Sequence, residues 1–141
     1  MNAGILSKNP VMFKVSLNDG NQGATQILKW NNIILNIGGG YDDTTGLFTA
    51  PISGFYHFSY WCMSDNDTNA FVVQWKKNGL PYTNGKHPVE ASNYENGHGG
   101  HKSLSGSNII DLEAGDTVAL WVTSATFYTQ YNGFSGFYIS S

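Results

Sequence analysis

Turn-forming clusters interrupt this 141-residue chain at intervals of about 8 to 20 residues, and no segment between them offers a helical stripe over three turns. They read "NDGNQG", "GGG", "DDTTG", "SDNDTN", "KNGLPYTNG", "NGHGG", "EAGD" and "YNG", and they hold many of the 17 glycines. Between them lie short runs rich in Val, Ile, Phe, Tyr and Trp. Residues with φ freedom or local side-chain bonding end strands, and β-branched and aromatic residues fill them. The rhythm predicts an all-β sandwich or barrel in one domain.

The runs alternate. Side chains on a strand point to opposite faces in turn, so Tyr56, Phe58, Tyr60 and Cys62 share one face and Phe55, His57, Ser59, Trp61 and Met63 the other. The first set is apolar throughout and predicts core; the second mixes rings with polar groups. "NAFVVQWKK" and "TVALWV" repeat the pattern, with Phe71, Val73 and Trp75 on one side and Val118, Leu120 and Val122 on one side. "GFSGFYI" carries Phe134, Phe137, Tyr138 and Ile139. Aromatics make up 14% of the chain and charged residues only 12%. Rings on both faces would leave a monomer with an apolar patch of unusual size, and association of subunits is the simplest remedy.

Charge and composition exclude several classes. A net charge of −3 with no basic run denies phosphate backbones a footprint, so no nucleic-acid partner is expected. No apolar run is long enough for a membrane-spanning helix, and membrane insertion is not expected. The single Cys62 excludes an internal disulfide and sits in the most apolar segment, as a small buried hydrophobe would. The start, "MNAGILSKNP", lacks a basic region followed by a long apolar run, so no secretory leader is read there. The sequon Asn66–Thr68 hints at a secretory history. Ser59, His57 and Asp65 name a hydrolase triple only by composition, with no nucleophile elbow, and Asp42 and Asp43 fall in a tight turn where Asp bonds its own backbone. Catalysis is not expected.

A longer pattern carries a resemblance. Trp30, Asn36, Tyr41 and Phe48, followed by Gly54, Tyr56, Phe58 and Tyr60, are spaced like the signature of the C1q globular domain, with Trp30 where that family usually has Phe. "KKNG" resembles the family's turn after its strand C, "SGSNIIDLEAGDTVALWV" resembles its strands E and F, paired with each other through a "GD" turn at Gly115 and Asp116, and "FSGFYIS" resembles the last strand. The resemblance implies a ten-stranded jelly-roll β-sandwich of the C1q and tumour-necrosis-factor type over residues 11–141, after an N-terminal extension over 1–10. It also implies a homotrimer. Phe48, Tyr56, Phe58, Tyr60 and Phe137 would then be core or intersubunit wedge residues, and Gly54 would mark a crowded or bent strand start.

Two loops carry the candidate recognition residues. From Leu80 to Ser107 no clear strand is read until the end, and loops of that length are commonly functional. It contains Asn93, Tyr94, Glu95, His98, His101 and Lys102; "TFYTQYNG" adds Tyr128 and Tyr131. Ring faces suit sugar stacking, and amides and carboxylates take paired hydroxyls. His98 and His101, three apart on a Gly-rich loop, can converge on zinc or copper. Calcium is disfavoured: calcium-binding members of the family place aspartates before the "SGS" equivalent, whereas this chain has His101 and Lys102 there. No cofactor is required. The expected function is secreted, trimeric, lectin-like recognition of microbial-surface or glycan ligands in innate immunity. A matrix or metal-binding protein, or a cytokine-like signalling ligand, are the alternatives.

Overall fold

In a computed structural model, residues 10–18, 26–64, 71–93, 102–123, 127 and 129–141 are described. They form β1 (Met12–Ser16), β2 (Gln26–Ile27), β3 (Asn32–Ile37), β4 (Tyr41–Asp42), β5 (Leu47–Thr49), β6 (Gly54–Met63), β7 (Phe71–Lys77), β8 (Leu80–Pro81), β9 (Glu90–Asn93), β10 (Ser103–Leu112), β11 (Thr117–Val122) and β12 (Gly133–Ser140). A five-stranded sheet runs β10-β6-β12-β1-β3 and faces a seven-stranded one that runs β4-β5-β11-β7-β8, with β2 also on β11 and β9 also on β7. The two sheets form the all-β sandwich expected.

Alternation builds the core. On β6 the inward Tyr56, Phe58, Tyr60 and Cys62 are all 2% exposed or less, and Val73, Trp75, Val118, Leu120 and Val122 meet them from the other sheet. Rings bridge the layers: Phe58 lies 5.4 Å from Phe48 and 6.3 Å from Trp75, both of the seven-stranded sheet, and 6.3 Å from Phe134. Gly136 stands in register between Phe13 and Phe58. A Cβ on it would lie 2.5 Å from the Phe58 ring and 2.6 Å from the Phe13 ring, so its missing side chain is the space that those rings fill. Gly54 opens β6 at φ +149°, and a Cβ there would sit 2.6 Å from the Ser140 carbonyl oxygen. Burial pushes the Cys62 thiol up to about 12, which leaves it protonated and inert at neutral pH.

The signature spacing has a physical basis. Tyr41 Oη donates to the Trp30 carbonyl at 2.9 Å and accepts from the Trp30 amide at 2.9 Å. Asn36 holds the Tyr41 backbone, donating to its carbonyl at 2.9 Å and accepting from its amide at 3.2 Å. Tyr41 in turn stacks on Phe13, 5.3 Å away, and Phe13 on Phe48 at 5.0 Å. Burial raises the Tyr41 phenol well above its ordinary value, so it stays a donor.

Two expectations are corrected. β10 and β11 do not pair with each other. β10 pairs with β6 over its whole length and β11 with β7, β5 and β2, because the turn between them carries the chain from one sheet to the other. That turn is tied to Ala50 through Gly115 N to Ala50 O and Ala50 N to Asp116 O, each 2.9 Å. Residues 80–107 also hold more structure than expected: Leu80–Pro81 and Glu90–Asn93 both pair with β7. These are short edge pieces held by backbone bonds, with Leu80 68% exposed, so they lack the alternation that reveals an inner strand. Of the two readings given for Phe137, core or intersubunit wedge, its 48% exposure on the outer face excludes the first and leaves the second open.

Two turn carboxylates make stability fall in acid. Asp42 accepts from the Thr44 hydroxyl at 2.7 Å and amide at 2.9 Å, and Asp116 from Asn78 Nδ2 at 3.0 Å and the Glu113 amide at 2.9 Å. These bonds, led by Thr44 and Asn78, favour the ionised forms and hold both pKa values below the ordinary 3.8. A group depressed on folding stabilises above its unfolded pKa and loses that contribution as pH falls through its folded one. The thermal midpoint is therefore expected to drop below about pH 4, and the double variant Asp42→Asn, Asp116→Asn to show a shallower drop between pH 7 and pH 3.

Candidate functional site

The outer face of the five-stranded sheet is banded. Register aligns Ile109, His57, Phe137, Met12 and Ile37 in one row across all its strands. The next row is Ser107, Ser59, Ser135, Lys14 and Leu35. The first row is apolar apart from His57, whose ring lies 5.3 Å from Phe137. Ile109 is 57% exposed and Ile37 40%, with Phe55 (44%) and Ile139 (46%) nearby. Ser59 and Ser135 share a hydrogen bond at 3.1 Å in the second row, so Ser59 is bonded across the strands. A cavity of about 830 Å³ opens on this face among Met12, Leu35, Ile52, Phe137 and Ile139.

One end of the sandwich gathers the loop roots. Ser64, just past β6, donates its amide to the Lys102 carbonyl at 2.7 Å and accepts from the Lys102 amide on Oγ at 3.0 Å. It also bridges to Phe127. Asn132 Oδ1 accepts from the Leu17 amide at 2.7 Å, and its Nδ2 donates to the Thr129 carbonyl at 3.0 Å. The described residues flanking 19–25, 65–70, 94–101 and 124–126 are thus stitched together at one end. Trp61 and Tyr131, 49% and 48% exposed, line a cavity of about 240 Å³ there with Ser103 and Ser105. Gly133, in register with Trp61, leaves that ring room: a Cβ would sit 2.7 Å from its Nε1.

Of the residues named from sequence, Tyr131 lines this cavity, whereas Lys102 does not line it and is buried at 5% exposure. Asn93 ends β9 in register with Phe71. Tyr94, Glu95, His98, His101 and Tyr128 lie outside the described residues, and so does the proposed metal pair. Among the described residues no cluster of three or more His, Cys, Asp or Glu is placed to hold a metal ion. Trp61 was not legible as a site residue, because its pairing with Gly133 depends on the register of distant strands.

The C1q domain model matches residues 12–139 of this sequence. The chain belongs to the C1q domain family. The bonds among Trp30, Asn36 and Tyr41, buried at Trp30 and part-buried at Asn36, are what the C1q spacing encodes here. Curated relatives include Complement C1q tumor necrosis factor-related protein 2 of Mus musculus, 31% identical over 106 residues, 75% of this chain and 31% of that protein. Protein HP-25 homolog 1 of Bos taurus is 29% identical over 112 residues, 79% of this chain and 47% of that protein. The chain thus spans less than half the length of these relatives. The fold is similar to the globular domain of zebrafish complement 1qA protein, with a TM-score of 0.73 at 18% identity, covering 92% of this chain and 97% of that one. It is also similar to murine APRIL, with a TM-score of 0.69 at 10% identity over 92% and 99%. The C1q and tumour-necrosis-factor jelly roll is therefore the fold of this chain.

Proposed function

We propose that this C1q-domain chain is a secreted, non-enzymatic homotrimer that recognises glycans or other ligands of microbial surfaces through its loop-bearing end. The observation that carries the reading is the row Ile109, His57, Phe137, Met12 and Ile37, apolar but for His57, that crosses every strand of the five-stranded sheet, with exposed Phe55 and Ile139 nearby. Such a band gains by being covered by a second copy, at roughly 25 cal/mol for each Å² removed from water. Three is the number of copies that the family resemblance implies. Closure about a threefold axis would then display three loop-bearing ends side by side, and weak contacts would add by avidity.

At that end, exposed Trp61 and Tyr131 offer ring faces, and Ser103 and Ser105 offer hydroxyls, the combination that takes sugar rings. The sequon Asn66–Thr68 supports a secreted location. No helix among the described residues is long and apolar enough to cross a membrane. Replacing residues 94–101 by a Gly-Ser linker of equal length, and separately Tyr131→Ala, is expected to lower binding on a glycan array at least tenfold while sedimentation is unchanged. Undiminished array binding in both variants would remove the loop end from the reading.

A protein receptor in place of a glycan is the second reading, favoured by the similarity to a tumor necrosis factor-related protein. Binding insensitive to competing sugars in a receptor pull-down would select it. Calorimetry with zinc or copper, compared with His98→Ala, His101→Ala protein, tests the proposed metal pair.

A further inference from the structure

The other outer face, that of the seven-stranded sheet, carries a feature neither association nor the loop end uses. On β11, Val118, Leu120 and Val122 point inward at 0% exposure, so Thr117, Ala119 and Trp121 point out. Ala119 is nonetheless only 1% exposed, because larger neighbours stand around it. It forms the floor of a depression of about 290 Å³ walled by Trp121, Lys76, Leu47, Ile27 and Thr117. Gly79 completes the rim, and a side chain there would meet nothing within 4 Å, so that side is open.

Lys76 is in register with Ala119, and its ammonium lies 5.1 Å from the centre of the Trp121 ring. The other polar groups on this strand are committed: Lys77 to the Asp111 carbonyl at 2.9 Å and Asp116 at 3.8 Å, Gln74 to Glu90 at 2.8 Å. Among the described residues no carboxylate pairs with Lys76. An ammonium has three donor hydrogens, and a ring face satisfies them poorly. A small apolar floor, an indole ring, a hydroxyl and one unneutralised cation form a built set of complementary groups in a space near the lower end of the ligand-pocket range of about 300–1,000 Å³. That space suits one ring, not an oligomer. The chain's net charge of −3 gives anions no general attraction, so any preference for them must come from Lys76.

We propose that this depression binds a single carboxylate-bearing sugar ring, its C–H face against Ala119 and Trp121 and its carboxylate on Lys76 Nζ. The site lies on the sheet opposite the apolar row, so it faces outward whatever covers that row. It is independent of the loop-bearing end.

The test is titration of the ¹⁵N-labelled full chain, followed by the indole N–H resonance of Trp121, identified by its loss in Trp121→Phe. The probes are D-glucuronate, D-glucose, which has the same ring without the carboxylate, and acetate, which has the carboxylate without the ring. Glucuronate is expected to move the resonance saturably, with glucose and acetate each at least tenfold weaker. Lys76→Gln is expected to lose about tenfold in glucuronate affinity, as for one charge-assisted hydrogen bond, with the thermal midpoint unchanged. The 94–101 linker variant should keep the full response, which separates this site from the loop end. Equal binding of glucose and glucuronate, an acetate response as strong as that of glucuronate, or an unaltered affinity in Lys76→Gln would each overturn the proposal.

Discussion

Phe58→Ala is expected to destabilise the domain by about 3–5 kcal/mol, much of the roughly 5–15 kcal/mol that holds an average domain folded. The ring is fully buried at the centre of the sandwich and within 6.3 Å of Phe13, Phe48, Tyr56, Trp75 and Phe134. Its partners come from both sheets, so none can follow the vacated space without breaking its own contacts, and a cavity remains. Ring pairs of this kind each add about 0.5–1.5 kcal/mol beyond the area they bury. Urea unfolding of Phe58→Ala beside Phe55→Ala checks this, because Phe55 lies on the same strand and is 44% exposed. A Phe58→Ala loss no larger than that of Phe55→Ala would mean that the ring cluster is not what joins the layers.

Phe137→Asp is expected to abolish self-association and leave the subunit folded. Phe137 stands at the middle of the apolar row, beside His57 and Met12 in register, and is 48% exposed in the single chain. In a free subunit a carboxylate there stays in water at little cost. Pressed between subunits it would lose its hydration with no lysine or arginine in its row, a penalty of several kcal/mol at every copy of the contact. Association should weaken by at least a hundredfold, while far-ultraviolet circular dichroism and the urea midpoint of the subunit hold. An associated Phe137→Asp protein would place the contact elsewhere on the surface.

Much of the fold was legible because the inner strands follow simple physics. Tyr56, Phe58, Tyr60 and Cys62 alternate with residues of another character, and burial follows that alternation residue by residue. The spacing of Trp30, Asn36, Tyr41 and Phe48 was legible too, since it encodes a set of buried and part-buried hydrogen bonds and stacked rings. The edge strands were not, because Leu80–Pro81 and Glu90–Asn93 are defined by backbone bonds to β7 and are too short to show an alternation. Adjacency in sequence misled over β10 and β11: the Gly115–Asp116 turn has the residues of a hairpin, yet its backbone is bonded to Ala50.

The candidate sites divide in the same way. Loop residues such as Tyr131 are conspicuous by type and position. The pairing of Trp61 with Gly133, and the placing of Lys76 over Trp121, come from strand register and cannot be seen in any local window.

The central claim is that the banded face of the five-stranded sheet is where copies of this chain meet. Sedimentation equilibrium of the unmodified protein at micromolar concentration tests it most directly. The account predicts a mass three times the 15.4 kDa of one chain. A stable species of one chain mass across the whole concentration range would contradict it.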